Sequence, residues 1–428
     1  MLVASPRVPA TRRLAATLYG YAFLTDLVLL YPLYVLLFAD TGLSVGQIST
    51  LFVLWAVAGI LLEVPSGALA DALSRRLLLC LAPLLTAAGF ALWVLLPSYP
   101  AFAVGFLLWG AGGALRSGAL EALVFTELDR LGAADRYARL IGRTRTAEVL
   151  GAVGSGVLAG PVFAVGGYLA VGAASVATCL LAAAVAARFP EHRTAPAATA
   201  PAATAPAATA PLATPSAAVV SAAAPPSGPG EAPDDDEPGW LDSLRGGLAE
   251  VRADRAVRAA VLLVAAVAAI WGGLDEYTGL LARDTGVAEV TVPLLLLLVW
   301  AGMSVGGLLA PWGERLSRRG YAGLLLVAAG ALAAGALLRH PAGFVLLAVA
   351  FAAFQLATVL ADVRLQARIS GSARATVTSL AGMATDLTTV AFYGAYGLLA
   401  GAVGNPVAFA VAVLPYLLVA LWLFAGRG

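Results

Sequence analysis

Apolar runs separated by charged or Pro/Gly breaks recur along the whole chain, and each is long enough to be a membrane span rather than a globular helix. Read in order, they predict helices near 17–38, 47–69, 77–96, 101–127, 141–165 and 168–187. Six more follow near 257–281, 290–312, 321–338, 342–366, 375–400 and 405–426. The pattern therefore predicts an all-α integral membrane protein with 12 transmembrane helices, and we number these spans 1 to 12. The first run follows Arg12 and Arg13 but is too long for a signal-peptide core, contains Asp26 and passes straight into a second span, so it reads as a retained span.

Composition supports the pattern: of 428 residues 61% are hydrophobic and only 12% charged. A soluble enzyme is excluded on that ground. The formal charge of +1 gives no electrostatic case for nucleic acid as a partner. Cys80 and Cys179 lie in separate apolar stretches and His192 and His340 are far apart, so neither a disulfide framework nor a metal-ligand spacing is present. No cofactor is expected. All 26 basic residues are arginine, and with the N-terminus placed in the cytoplasm 23 of them fall in inner segments. Only Arg283 and Arg339 fall in outer loops, with Arg116 inside span 4. This asymmetry predicts an even number of spans with both termini cytoplasmic, in an inner (plasma) membrane, the lipid bilayer being the chain's surroundings.

Residues 188–256 divide the chain into an N-terminal six-helix bundle, 1–187, and a C-terminal one, 257–428. The divider carries TAPAA-type units from Thr194 to Pro211, an Ala/Pro/Ser tract and an acidic run from Asp234 to Glu237. Such sequence buries no core and reads as a disordered cytoplasmic spacer. After it, Trp240, Leu241, Leu244, Leu248 and Val251 recur at helical spacing, predicting an amphipathic helix near 240–254 on the inner membrane face.

The two bundles repeat each other. Asp40-Thr41-Gly42 before span 2 recurs as Asp284-Thr285-Gly286 before span 8, and Asp71-Ala-Leu-Ser-Arg75-Arg76 recurs as Glu314-Arg-Leu-Ser-Arg318-Arg319. Arg136 and Glu148 find a counterpart in Arg374 and Asp386, twelve residues apart in both cases. Three matches in order argue for a duplicated unit. Spans 3, 6, 9 and 12 carry no intramembrane or near-end charge, whereas spans 1, 2, 4, 5, 7, 10 and 11 hold Asp26, Glu63, Arg116, Glu121, Arg145, Glu148, Asp275, Glu276, Asp362, Arg364 or Asp386. A charge facing lipid costs several kcal/mol, so the clean set is expected outside and the charged set around a central polar path.

At this point the residues resemble a family. Gly67-Ala-Leu-Ala-Asp71-Ala-Leu-Ser-Arg75-Arg76 is similar to the signature loop of the major facilitator superfamily, lacking only the glycine often found before the basic pair. With twelve spans, a long central loop and a partial copy at Glu314 to Arg319, the resemblance covers nearly the whole chain. It implies two pseudo-symmetric six-helix bundles, a small-molecule substrate, and a loop that holds the halves together at the cytoplasmic face in the outward-open state. Small residues at 67, 68 and 70 permit close helix approach, and Asp71 can accept from the N-terminus of span 11 near Ala375. Gly156, Gly160 and Pro161 in span 5 are similar to the glycine motif of antiporters, with four residues rather than two between Gly-Pro and Gly166-Gly167. Small-residue packing with a proline kink explains the same residues equally well.

Several charges are candidates for work. Asp26, mid-membrane among Leu, Val and Tyr, is placed to take and release protons, with a structural hydrogen bond as the alternative. Glu121 and Asp386 join it as proton-coupling candidates. Glu63, Arg116, Arg145 and Glu148 can form a neutralising network, in which structural pairing and substrate contact are both open. Asp275-Glu276 can gate or attract cations, against the alternative of a solvated helix end; Gln355 and Asp362 on span 10 complete the cavity set, and Tyr31, Tyr34 and Trp109 offer an aromatic lining. Gly302-Met-Ser304-Val-Gly306 satisfies a hydrolase-like pattern but lies inside an apolar helix and reads as packing glycines. No ATP-binding loop is present. The reading is a proton-coupled secondary transporter that exports a small amphipathic molecule and works as a monomer, with proton-coupled import as the alternative, and a membrane receptor or membrane-embedded enzyme as the other class.

Overall fold

The computed structural model describes residues 7–192, 254–369 and 374–425, and among these every regular element is helical. Most of the central linker and of the predicted amphipathic helix lies outside the described residues. Asp254 is inside them and caps span 7 by accepting from the Ala256 and Val257 amides.

The first bundle runs Arg7–Asp26 and Tyr34–Asp40 (span 1), Val45–Ala72 (span 2), Arg75–Leu95 (span 3), Tyr99–Arg130 (span 4) and Tyr137–Ala186 (spans 5 and 6). The second runs Arg255–Asp275 and Thr278–Arg283 (span 7), Val292–Leu308 (span 8), Arg318–Leu337 (span 9), Gly343–Gln366 (span 10), Arg374–Val403 (span 11), and Asn405–Val411 with Leu414–Ala425 (span 12). Eight of the described helices are long and apolar enough to cross a membrane. That count takes spans 5 and 6 as one piece and leaves out span 1, which is interrupted, and spans 4 and 11, which carry charge or many Thr and Gly residues. Spans 5 and 6 are divided only at Gly166-Gly167, where Gly167 adopts φ 58°, a conformation that a side chain would strain. Spans 3, 6, 9 and 12 each present exposed apolar side chains, among them Leu77, Leu180, Val327 and Leu418.

The sequence repeat has a physical basis. Gly42 and Gly286 sit at φ 94° and 80°, so each Asp-Thr-Gly turn needs its glycine. Thr41 and Thr285 close the preceding helix in the same way, each hydroxyl donating to a carbonyl of the last turn. Ser74 and Ser317 are both N-caps, each accepting at 3.1 Å from the amide three residues on.

Span 1 was expected to be continuous over 17–38; it is broken. Pro32 has no N–H to offer the Val28 carbonyl, and the helix stops after Asp26. The freed groups are satisfied by the neighbouring spans: Ser155 Oγ donates to Val28 O at 2.5 Å and Leu30 N donates to Ser175 Oγ at 3.0 Å. Both serines are fully buried. Val28 O also accepts from the Tyr31 amide at 3.1 Å, so a Ser155→Ala substitution removes one of its two donors and should lower thermal stability in detergent by about 1 kcal/mol, with Ser155→Thr intermediate.

Gly302 and Gly306 act as packing glycines: a β-carbon on either would run into the backbone of Ala348 or Ala352 on span 10. Gly306→Val should therefore push spans 8 and 10 apart and reduce the yield of folded protein in size-exclusion runs, whereas Ser304→Ala should not.

Candidate functional site

The arginine-rich end, where span 1 begins, and the far end, where the Asp-Thr-Gly turns lie, differ in how the halves meet. At the far end polar contacts cross between them. Arg283 Nη1 lies 2.6 Å from Asp40 Oδ1, the Tyr34 hydroxyl donates to Glu276, and Ser49 and Tyr277 share a hydrogen bond of 2.7 Å. Phe52 packs edge-on against Tyr277 at 5.2 Å. Glycines let backbones approach there: Gly160 faces Val290 and Gly397 faces Ser49 with no room for a β-carbon, and Gly156 lies against Leu297 and Trp300. Thus the span 5 glycines Gly156 and Gly160 form part of the joint between the halves. The helix continues through Pro161, and its non-helical residues are Gly166 and Gly167.

The apolar core shows the same asymmetry. One buried cluster joins both halves at the far end, from Val28, Phe38 and Phe52 to Trp271, Tyr277 and Tyr396, and in the second half it continues to the arginine-rich end through Val257, Tyr321 and Leu365. A second cluster, with Leu14, Leu18, Leu79, Leu123, Leu140 and Phe189, contains residues of the first half alone and lies at the arginine-rich end. The halves share a core where they are sealed, and toward the other end the first half keeps a core apart from that of the second.

The signature loop bonds within its own half. Arg75 Nη1 donates to Ala122 O at 3.1 Å and Thr126 Oγ1 at 3.0 Å on span 4. Glu191, just past span 6, accepts from the Arg75 amide at 2.7 Å and also from Ser74. Glu127 on span 4 accepts from the His192 amide at 2.8 Å, which ties down the end of the bundle. The roles of Glu127, Glu191 and Thr126 are not legible in the sequence, since they depend on how spans 4 and 6 end side by side. Gly67 faces Gly118 of span 4, Arg76 is exposed, and the side chains of Asp71 and Ala375, with the contact expected between them, lie outside the described residues. In the second copy Arg318 donates to Trp422 O at 3.3 Å and covers the Trp422 ring, while Glu314 and Arg319 are exposed.

The predicted charges form two groups. In the first, Asp26 ends the first segment of span 1 and Arg116 Nη1 lies 3.9 Å from its Oδ2, so this carboxylate has a cationic neighbour and is not isolated. Arg145 pairs with Glu148 at 3.2 Å, and Glu148 also acts electrostatically on Asp26 and on Glu121. Span 5 reaches this place because Gly151 lets it touch the backbone of Phe23 to Leu27. Glu63 and Asp386, from opposite halves, are half-buried and within electrostatic reach of each other. Asp362 is half-buried near Tyr321, away from these carboxylates; Arg364 beside it covers the Tyr321 ring.

The second group lies under the far-end seal. Asp275 and Glu276 are only 5% and 6% exposed, which corrects the alternative of a solvated helix end. Span 7 breaks here, and Tyr34 from the other half covers the pair. They line a small cavity with Tyr31, Tyr34, Val35, Gly279, Leu296 and Trp300. Tyr31 stacks on Trp109 at 5.4 Å and Trp109 on Trp55 at 4.9 Å, making one wall aromatic. Gln355, buried on span 10 with neither amide atom partnered among the described residues, lies next to Gly307. Trp300 is the lining residue whose role the sequence did not predict; the match of Leu54-Trp55-Ala56 in span 2 to Val299-Trp300-Ala301 in span 8 is the available signal. Among the described residues no group of three or more His, Cys, Asp or Glu side chains could hold a metal ion.

Comparison with known proteins agrees with the helical architecture. A sequence model of the Major Facilitator Superfamily matches residues 16–361. No curated protein matches the sequence. Among solved structures, a mutant of the nucleoside transporter NupG superposes with a TM-score of 0.72 at 11% identity, covering 96% of this chain and 99% of that one. A bacterial homolog to the human lysosomal transporter Spinster, inward-facing and occupied, gives 0.69 at 15% identity over 98% and 97% of the two chains. The E. coli fucose:proton symporter FucP gives 0.52 at 16% identity over 99% and 100%. At these identities the likeness is one of fold.

Proposed function

Since the chain belongs to the major facilitator superfamily, we propose that this transporter is proton-coupled and exports a small amphipathic molecule by alternating access. The observation that carries this reading is the one-sided joint: a continuous core and polar contacts unite the halves at the far end, while the first half keeps its own core at the other. Rocking about the central region exchanges one closed end for the other. Asp26 with Arg116, and Arg145 with Glu148, supply charge pairs that a proton can open by neutralising the carboxylate, and Glu121 and Asp386 are the further carriers. The signature loop, free of the far-end seal, closes the arginine-rich end in the alternate state. That end faces the cytoplasm of an inner (plasma) membrane, and the working unit is the monomer.

Proteoliposomes with a pH gradient imposed in either direction test this. Export predicts substrate movement opposite to the proton flux. Movement with the protons would instead establish import, the second reading, which the fold of a fucose:proton symporter favours. Flux without any gradient dependence would remove coupling altogether.

A further inference from the structure

Four arginines converge on one cavity at the arginine-rich end of the first half, and the transport reading assigns none of them a task. Arg12 comes from the start of span 1, and Arg136, Arg139 and Arg143 from the start of span 5, at spacings of three and four residues that put them along one helix face. The cavity between them measures about 520 Å³. Asp135 is the one carboxylate of its lining, so four positive charges face one negative. Setting the topology requires arginine at this end, but not four on a shared wall. Other arginines of this half have carboxylate partners: Arg116 with Asp26, Arg130 with Glu127 and Arg145 with Glu148. Among the described residues no salt bridge reaches any of the four, or Asp135. The two helix starts add charge of the same sign. Neither span 1 nor span 5 has an acidic residue in its first turn, and Arg136, the N-cap of span 5, makes no side-chain capping bond. Helix N-termini are positive and favour anions, so the cavity collects charge that the chain does not neutralise. Tyr19, two turns deeper on span 1, lines the same cavity, and its buried hydroxyl has no hydrogen-bond partner among the described residues.

We propose that this cavity binds a phosphate monoester group, carried by a soluble phosphorylated compound or by a phospholipid headgroup. A phosphate monoester brings close to two negative charges, which one carboxylate does not. Guanidinium forks match phosphate oxygens two at a time, and the arginines stand on both sides of the space, on span 1 and on span 5. The volume falls in the range of small-molecule sites, so the phosphate fits together with part of the molecule that bears it. A basic pocket between the ends of two membrane helices is equally suited to a lipid headgroup. The shared chemistry is the dianionic phosphate, and the bound group would tie the start of span 5 to the start of span 1.

Thermal melts of the full-length protein in phosphatidylcholine nanodiscs test the assignment, with two probes. One is inorganic phosphate, titrated against sodium chloride of equal ionic strength; the other is phosphatidic acid, replacing part of the disc lipid. At least one probe should raise the melting temperature, since a group that binds the folded state alone stabilises it. A rise with phosphate assigns the cavity to soluble compounds, and a rise with phosphatidic acid alone assigns it to lipid. Arg139→Gln with Arg143→Gln should weaken the phosphate response at least about tenfold in concentration, or remove the lipid response. Both side chains are exposed, so the fold is spared. Lys at the same two positions keeps the charge and should weaken the response less than Gln does. Arg13→Gln with Arg188→Gln removes two exposed charges outside the cavity and should leave the response in place. No rise with either probe, a response untouched by the Gln pair at 139 and 143, or an equal loss in the Arg13 and Arg188 pair would overturn the proposal, the last by showing diffuse attraction to surface charge.

Discussion

Gly397→Val should stop transport by keeping the far end from closing. This glycine of span 11 meets span 2 there, and a β-carbon built on it would lie 2.6 Å from the Ser49 Cβ and 3.3 Å from the Gly46 Cα. The two spans must part to admit a side chain at this point. An alternating-access protein that cannot seal one end loses half its cycle, so flux should fall nearly to background while size-exclusion runs still show folded protein. Normal flux in Gly397→Val would mean that spans 2 and 11 need not meet during transport.

Arg116→Gln should be the most damaging single change among the cavity charges. It leaves Asp26 without its cation and lowers stability by about 2 kcal/mol or more, since the pair is largely enclosed at 27% and 18% exposure. Adding Asp26→Asn should restore much of that stability, because both members of the pair are then neutral and can still hydrogen-bond. Transport should stay absent in the double variant. Thermal melts together with flux assays distinguish the outcomes: recovery of both fold and flux would make the pair structural only.

Much of this architecture was readable from residues alone, for reasons that are local. The Asp-Thr-Gly turns were legible because positive φ at Gly42 and Gly286 fixes the residue type twice. Ser74 and Ser317 were legible as repeat members because each caps the helix that follows. The division between spans 5 and 6 fell at Gly166-Gly167 for the same kind of reason. The break in span 1 was hidden because the apolar run continues across Pro32, and Ser155 and Ser175, which satisfy the freed backbone, are more than 120 residues away in sequence. Burial of Asp275 and Glu276 was equally out of reach. In sequence they sit beside Tyr, Thr and Gly as at a wet helix end; what covers them is Tyr34 from the other half. Arg75 shows the limit of a motif, since its loop was recognised while its partners on span 4, Ala122 and Thr126, follow from packing.

Efflux from energised inverted membrane vesicles, comparing the unaltered chain with Asp26→Asn under a proton gradient set by hand, tests the central claim most directly. Proton-coupled export through Asp26 predicts gradient-driven accumulation of dye or drug that the substitution abolishes while the protein remains folded and inserted. Accumulation at the same rate in Asp26→Asn would contradict it.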